Sequence, residues 1–345
     1  MELKEFMYEL PRSLIAAYPS KDREEARLMV VQKNTGEVFH GDFSHLGDFL
    51  QPGDLLVLND TRVLPARLRG QKESGGKAEV LLLEPFPRWP SLWIALVDAA
   101  KRPHVGGRIF FADGFYATIL GELGRGRYGL WFHHEGEFMD MLVKLGEPPL
   151  PPYIHRAREL EPGDWERYQT VYASSPGAVA APTAGFHFTR ELLEGLGARG
   201  VETAFLTLHV GPGTFQPVRQ EVVERHRMEG ERYSLGAEAA EKIKQAKRNG
   251  GRVIAVGSTT TRALEWVVRR RGRVEADEGI ARLFIRPGDS FRVIDGLMTN
   301  FHLPGSTPLI LVAAFAGLDL IRRAYQEAIR SRYRFYSYGD AMLIL

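Results

Sequence analysis

Three histidines lie in loops built from small residues. His187 follows Ala181-Pro182-Thr183-Ala184-Gly185, His209 precedes Gly211-Pro212-Gly213-Thr214, and His302 sits within Thr299-Asn300-Phe301-His302-Leu303-Pro304. A neutral imidazole exchanges protons near pH 7, and glycine-bearing loops let a substrate approach the backbone. Isolated histidines in such loops therefore suit proton transfer. Two further polar segments stand at strand ends. Asn59-Asp60-Thr61-Arg62 closes the apolar run Leu55-Leu56-Val57-Leu58, and Gly257-Ser258-Thr259-Thr260-Thr261-Arg262 leads from Val253-Ile254-Ala255-Val256 towards a helix. The second arrangement presents backbone N–H groups to an anion, a carboxylate or a phosphate.

Other chemistries are excluded by pattern. There is no cysteine, so disulfides, thiolate zinc sites and iron–sulfur clusters are ruled out. His133 and His134 are adjacent, which on a strand sends them to opposite faces, and no His-carboxylate cluster has metal-ligand spacing. The G-x-S-x-G nucleophile elbow is missing. Gly211-Pro212-Gly213 lacks the third glycine and the helix opening of a dinucleotide fingerprint, and Gly257–Arg262 lacks the Gly-Lys-Ser/Thr of a P-loop.

The elements that must hold these residues alternate between strand and helix. Residues 26–31 and 37–40 read as a hairpin about Asn34-Thr35-Gly36, residues 44–50 as a short helix, and 54–58 as a buried strand. From residue 65 to about 150 the pattern changes. Six β-type runs (66–69, 78–83, 92–97, 108–111, 116–120 and 128–132) are separated by Gly-rich or charged turns, as in a small antiparallel barrel, and a helix follows over 138–145. Residues 148–153, Pro-Pro-Leu-Pro-Pro-Tyr, form a stiff linker. Beyond it the spacing predicts helices over 164–172, 190 onward with Thr189 as N-cap, 236–249, 263–270, 307–315 and 318–329, with strands at 203–210 and 252–256. The expected fold is α/β: a larger mixed domain of residues 1–63 and 152–345, interrupted by a small antiparallel β-barrel domain over 64–151.

The chain has 345 residues, 44% hydrophobic and 26% charged, which fits two globular domains. No run nears the roughly 18 apolar residues of a membrane span, and the start has no signal-peptide core, so a cytoplasmic location is expected. A net charge of +2 demands no nucleic-acid partner. Basic clusters at Arg62/Arg67/Arg69, Lys101/Arg102/Arg108, Arg125/Arg127, Arg156/Arg158, Arg269/Arg270/Arg271/Arg273 and Arg330/Arg332/Arg334 nonetheless match a phosphate backbone.

Six segments give a sharper reading: LNDTRVLPARL (58–68), AAPTAGFHFT (180–189), LHVGPGTFQPV (208–218), GSTTTRALE (257–265), TNFHLPGST (299–307) and YRFYSYGDAML (333–343). Together with YELPRSLIAAYP (8–19), they resemble the S-adenosylmethionine:tRNA ribosyltransferase-isomerase family of queuosine biosynthesis along nearly the whole chain. Phe186, Thr261, Gly305 and Pro308 depart from that pattern. The resemblance implies that S-adenosylmethionine is consumed as a ribosyl donor. Its rearranged ribose would join the aminomethyl group of 7-aminomethyl-7-deazaguanine at a tRNA wobble position, giving epoxyqueuosine-tRNA, adenine and methionine. The family's chemistry starts with removal of a proton from the carbon beside the sulfonium, which the positive sulfur acidifies. No metal or other cofactor is implied. The partners would be S-adenosylmethionine and the anticodon arm of tRNA, with no membrane, and the protein is expected to be a monomer.

On that resemblance, His187 or His209 is the base and His302 a third candidate, an acid towards departing adenine. Asp60, Thr61 and Arg62, next to Asn59, would hold ribose hydroxyls or the tRNA base. Thr259, Thr260 and Arg262 would bind the methionine carboxylate. Glu229, Glu231 and Asp340 would meet the substrate amine or the methionine ammonium, and Tyr336 and Tyr338 would stack on a base. Thr183, Gly185, Gly211, Gly213, Thr214 and Asn300 complete the expected substrate contacts. A tRNA methyltransferase and a non-catalytic RNA-binding protein are the rival readings.

Overall fold

Hydrophobic alternation sets the first elements of the computed structural model, which describes all residues except 87, 152–153, 155–159 and 212–217. Strand β1 (Arg27–Val31) and β2 (Val38–Asp42) form the expected hairpin, and β3 (Leu55–Asn59) and β4 (Thr61–Val63) follow. The next six strands are β5 (Arg67–Lys72), β6 (Lys77–Phe86), β7 (Trp89–Ala99), β8 (Arg108–Ala112), β9 (Phe115–Gly124) and β10 (Arg127–His133). They close into a barrel in the order β10-β7-β6-β5-β8-β9, every pairing antiparallel. Alternate residues such as Val80, Ala95, Ile109, Ala117 and Phe132 fill its interior, and Phe138 and Leu142 of helix α1 (Phe138–Leu145) join that core.

The remaining chain supplies α2 (Asp164–Arg167), β11 (Ser175–Ala178), α3 (Arg190–Ala198), β12 (Glu202–Leu208), β13 (Glu231–Leu235), α4 (Ala237–Arg248) and β14 (Val253–Val256). It ends with α5 (Ser258–Arg271), β15 (Asp277–Ala281), β16 (Gly296–Asn300), α6 (Thr307–Ala316), α7 (Leu318–Arg330) and β17 (Ala341–Ile344). A nine-stranded sheet runs β15-β13-β12-β3-β14-β16-β17-β1-β2, while β4 and β11 pair separately in parallel. Its centre, β12-β3-β14-β16, is parallel. Strands β3, β14 and β16 are buried on both faces, which explains the unbroken apolar runs Leu55–Leu58 of β3 and Val253–Val256 of β14. Helices cover them through apolar stripes, Ala239, Ala240, Ile243 and Ala246 on α4 being one. Because the four central strands run the same way, their carboxyl ends share one edge, where α/β folds place ligands. A mixed α/β fold with a closed antiparallel barrel is thus the architecture expected from the sequence.

The short helix expected over residues 44–50 is a 3₁₀ helix over Phe43–Asp48, which buries Phe43 and Leu46 three residues apart, the 3₁₀ period. Two other element assignments need correction. The helix expected over 164–172 stops at Arg167, because Gln169 leaves it to bond both Val63 N and Val63 O through its side chain. Helix α5 begins at Ser258 instead of 263, since the Thr260 and Thr261 hydroxyls donate back to Val256 O and Gly257 O and so coexist with helical backbone. Among the described residues, no helix is long and apolar enough to cross a membrane.

Candidate active site

His209 is the first residue beyond β12, and its surroundings fix it tightly. Asn59 acts like an extra rung of the β3–β12 ladder: its Nδ2 donates to Leu208 O (2.9 Å) and its Oδ1 accepts from Leu208 N (3.0 Å). The His209 N–H donates to Arg232 O at 2.9 Å. Buried Thr61 places its hydroxyl 2.8 Å from His209 Nδ1 and directs it also at Ser175 O, 3.5 Å away. Gly177, at φ +150°, lies so near the imidazole that an added Cβ would stand 2.7–2.9 Å from three ring atoms. Burial, then the Arg232 charge, holds this imidazole below the ordinary histidine range, with Asp60 opposing. The ring is therefore neutral at pH 7.

This ring lines a cavity of about 320 Å³ between the barrel and the main sheet. Leu64, Trp93 and Ile94 form an apolar wall on one side, and Gly177, Val210 and Gly211 face them. Arg127 of β10 reaches across this seam to Glu229, with Nη2 2.6 and 2.8 Å from the two carboxylate oxygens. Glu231 lines the same cavity; it accepts from Gly211 N at 3.0 Å and pairs with buried Arg262. Arg262 also donates from Nε to Leu283 O, yet its buried Nη2 has no partner among the described residues.

Val210 also borders a second, smaller cavity of about 40 Å³ at the carboxyl ends of β14 and β16. Thr183, Ser258, Thr259, Asn300, His302 and Tyr336 line it. Here α5 starts from Gly257 at φ +94°, a backbone state open to glycine. Thr183 Oγ1 donates to Asn300 Oδ1 (3.3 Å), and Asn300 Nδ2 donates to His187 Nε2 (3.2 Å). His302 Nε2 lies 2.7 Å from Thr299 Oγ1. Burial lowers both His187 and His302 to about 3, with Arg334 and Arg23 adding to the effect at His187. Tyr336 adopts φ +78°, a strained state for a tyrosine, and burial raises its phenol.

The fold thus gathers His209, Gly211, Glu229 and Glu231 at one cavity and Thr183, Thr259, Asn300, His302 and Tyr336 at the other. Several expected contacts lie elsewhere. Asp60 accepts from the Ser174 (2.7 Å) and Ser175 (3.4 Å) hydroxyls through one oxygen and from Thr207 (2.6 Å) through the other, so it ties loop to strand. Arg62 is exposed on β4 away from both cavities. Thr260 is turned back onto Val256, and Gly185 packs against Tyr172. Tyr338 sits edge-on to Tyr168 in a buried cluster. Asp340 accepts from the backbone N–H groups of Arg27 (3.2 Å) and Arg334 (2.7 Å). His187 sits behind Asn300 with Phe43 at 5.1 Å, its Nε2 already accepting. Gly213 and Thr214 lie outside the described residues. Arg127, Trp93 and Gly177 were not among the expected contacts. Arg127 was signalled by the basic pair Arg125/Arg127, and Gly177 by its place at the head of the small-residue run 177–185 that leaves the backbone open to approach.

These features match a known family. A family model described as queuosine biosynthesis protein covers residues 3–344. The chain belongs to this family. One relative, from Symbiobacterium thermophilum, is 51% identical over 347 residues, with 100% of both chains covered, and is named S-adenosylmethionine:tRNA ribosyltransferase-isomerase. A second with that name, from Pelobacter propionicus, is 50% identical over 344 residues, again covering 100% of each. The crystal structure of an S-adenosylmethionine tRNA ribosyltransferase from Thermotoga maritima is similar at a TM-score of 0.56 and 35% identity, spanning 99% of this chain and 100% of that one. The family is the one that the sequence motifs resemble.

Proposed function

We propose that this member of the queuosine biosynthesis family is an S-adenosylmethionine:tRNA ribosyltransferase-isomerase, acting at the cavity between barrel and sheet with His209 as its base. The observation that carries the assignment is the His209 setting: a neutral imidazole, aimed into a cavity of about 320 Å³ and pinned by Thr61 and Gly177. That volume falls at the small end of the roughly 300–1,000 Å³ typical of ligand sites. With the Thr61 hydroxyl donating to Ser175 O, its oxygen accepts the Nδ1 proton, which leaves Nε2 with a lone pair. Nε2 takes the proton from the carbon beside the sulfonium. Adenine and methionine then leave, and the ribosyl carbons remain on the substrate amine, as epoxyqueuosine-tRNA requires.

The smaller cavity suits the methionine end of S-adenosylmethionine. Its carboxylate meets the first N–H groups of α5 at Ser258 and Thr259 and the positive end of the helix dipole. His302, Asn300 and Thr183 form the wall around it. Glu229 faces the barrel side and takes the aminomethyl ammonium of the deazaguanine, while Glu231 holds Gly211 and Arg262 in place. Residues 64–151 act as an inserted unit on the catalytic unit of 1–63 and 152–345, so the barrel supplies one wall of the site. The anticodon arm of tRNA enters from that side.

Chromatography of the small molecules released from S-adenosylmethionine tests this reading. Equal adenine and methionine, formed only with tRNA bearing 7-aminomethyl-7-deazaguanine, is the expected result, and His209→Gln should abolish it. S-adenosylhomocysteine would mean methyl transfer, and tight tRNA binding without release would mean a binding protein.

A further inference from the structure

The outer face of the barrel carries two cross-strand rows of side chains. On β8, β9 and β10, Ile109, Ala117 and Phe132 point into the barrel core. Strand alternation therefore turns Phe110, Tyr116 and His133 outward. The register sets them side by side: Phe110 opposite Tyr116, and Tyr116 opposite His133. Their rings lean on one another in a row, with centroids 5.5 Å apart at 33° and then 4.4 Å apart at 9°, so Tyr116 is the middle ring and Phe110 and His133 are the ends. Phe110 is 39% exposed. The next row holds Arg108, Thr118 and Trp131, again in register. The Arg108 guanidinium stands 5.5 Å above the Tyr116 ring and makes no ion pair among the described residues. Thr118 Oγ1 lies 3.0 Å from His133 Nε2 and steadies that ring.

This shelf is continuous with the active site. The outward positions of β10 run His133, Trp131, Gly129, Arg127, and Arg127 stands on the cavity wall. Six residues of strand, at roughly 3.3 Å each, make a path of about 20 Å from cavity to shelf.

We infer that the β8–β9–β10 face is a stacking platform for unpaired RNA bases, which seats the loop nucleotides flanking the one held in the cavity. The inference rests on the ribosyltransferase reading. A row of stacked rings is extended by any base laid against an end of it, and the Arg108 guanidinium beside the row matches a phosphate. A cationic, aromatic shelf leading out of a site that takes one nucleotide fits an RNA loop better than a second copy of this chain, which would bring the same positive charge.

Binding of an anticodon stem–loop RNA, followed by fluorescence anisotropy at fixed salt, tests this. Phe110→Ala and Tyr116→Ala should each weaken binding by roughly fivefold or more, the lower range for losing one stacked base. Tyr116→Trp should keep wild-type affinity, and Arg108→Ala should reduce the salt dependence by about one phosphate contact. The KM for S-adenosylmethionine should not change in any of them. Wild-type affinity in the two alanine variants would overturn the platform while leaving the ribosyltransferase reading in place. Loss of self-association in a sedimentation run, with RNA affinity intact, would also overturn it and make the face a contact between copies. If the wild-type protein bound neither stem–loop nor tRNA, the ribosyltransferase reading would fall with it.

Discussion

Acid should destabilise this protein well above the range where carboxylates titrate, because His187 and His302 are buried as neutral rings. Both are lowered to about 3 in the folded chain, against an ordinary value of 6.5. The unfolded chain therefore binds two protons below pH 6.5 that the folded chain refuses. The sign follows directly: stability is fully present above pH 6.5 and is lost as pH falls towards 3. Each histidine removes about 1.4 kcal/mol per pH unit below pH 6, or roughly 2 kcal/mol by pH 5, so the pair removes about 4 kcal/mol. That is a large share of the roughly 5–15 kcal/mol that holds a typical domain folded. Urea unfolding at pH 7, 6, 5.5 and 5 measures it. His302→Gln lowers stability at pH 7 but should flatten the dependence below pH 6 by about 1.4 kcal/mol per unit. An unchanged slope in that variant would refute the reasoning.

Other outcomes follow from the same geometry. Thr61→Val removes the group that fixes the His209 tautomer and should lower kcat by about 10- to 100-fold with KM unchanged, while Thr61→Ser stays near wild type. The acid limb of kcat/KM should lie below the ordinary histidine range, since burial and Arg232 keep His209 unprotonated, and a limb at or above pH 6.5 would oppose this. Gly177→Ala brings a methyl into the His209 ring and should cost about 1–3 kcal/mol in a thermal melt along with most of the activity. Arg262→Met strands buried Glu231 and should cost about 3–5 kcal/mol, much of it regained when Glu231→Leu is added; equal single and double variants would contradict the pairing.

Much of the fold could be read from local pattern. The six barrel strands were legible because each alternates and ends at a turn, and α1 because its apolar spacing is helical. Residues 257–262 misled, since threonines favour caps when only local preference is weighed, whereas packing against β14 draws them into α5. The site was legible only in part. His209 was visible through its glycine loop, but its clamp joins residues 61, 177 and 209, and Arg127 meets Glu229 across 102 positions of sequence. Asp60 and Asp340 bond to their own chain, and Tyr338 packs in a buried cluster, for one physical reason. Polar and aromatic residues at a strand or loop end serve a ligand or the backbone equally well, and spacing alone does not distinguish the two.

Transfer of the ribose, with methionine leaving intact, is tested most directly with S-adenosylmethionine labelled separately in the ribose and in the methyl group. After incubation with tRNA bearing 7-aminomethyl-7-deazaguanine, the ribose label should be in the tRNA and the methyl label in free methionine, and both transfers should vanish with His209→Gln. Methyl label in the tRNA, or ribose transfer undiminished without His209, would contradict the mechanism proposed here.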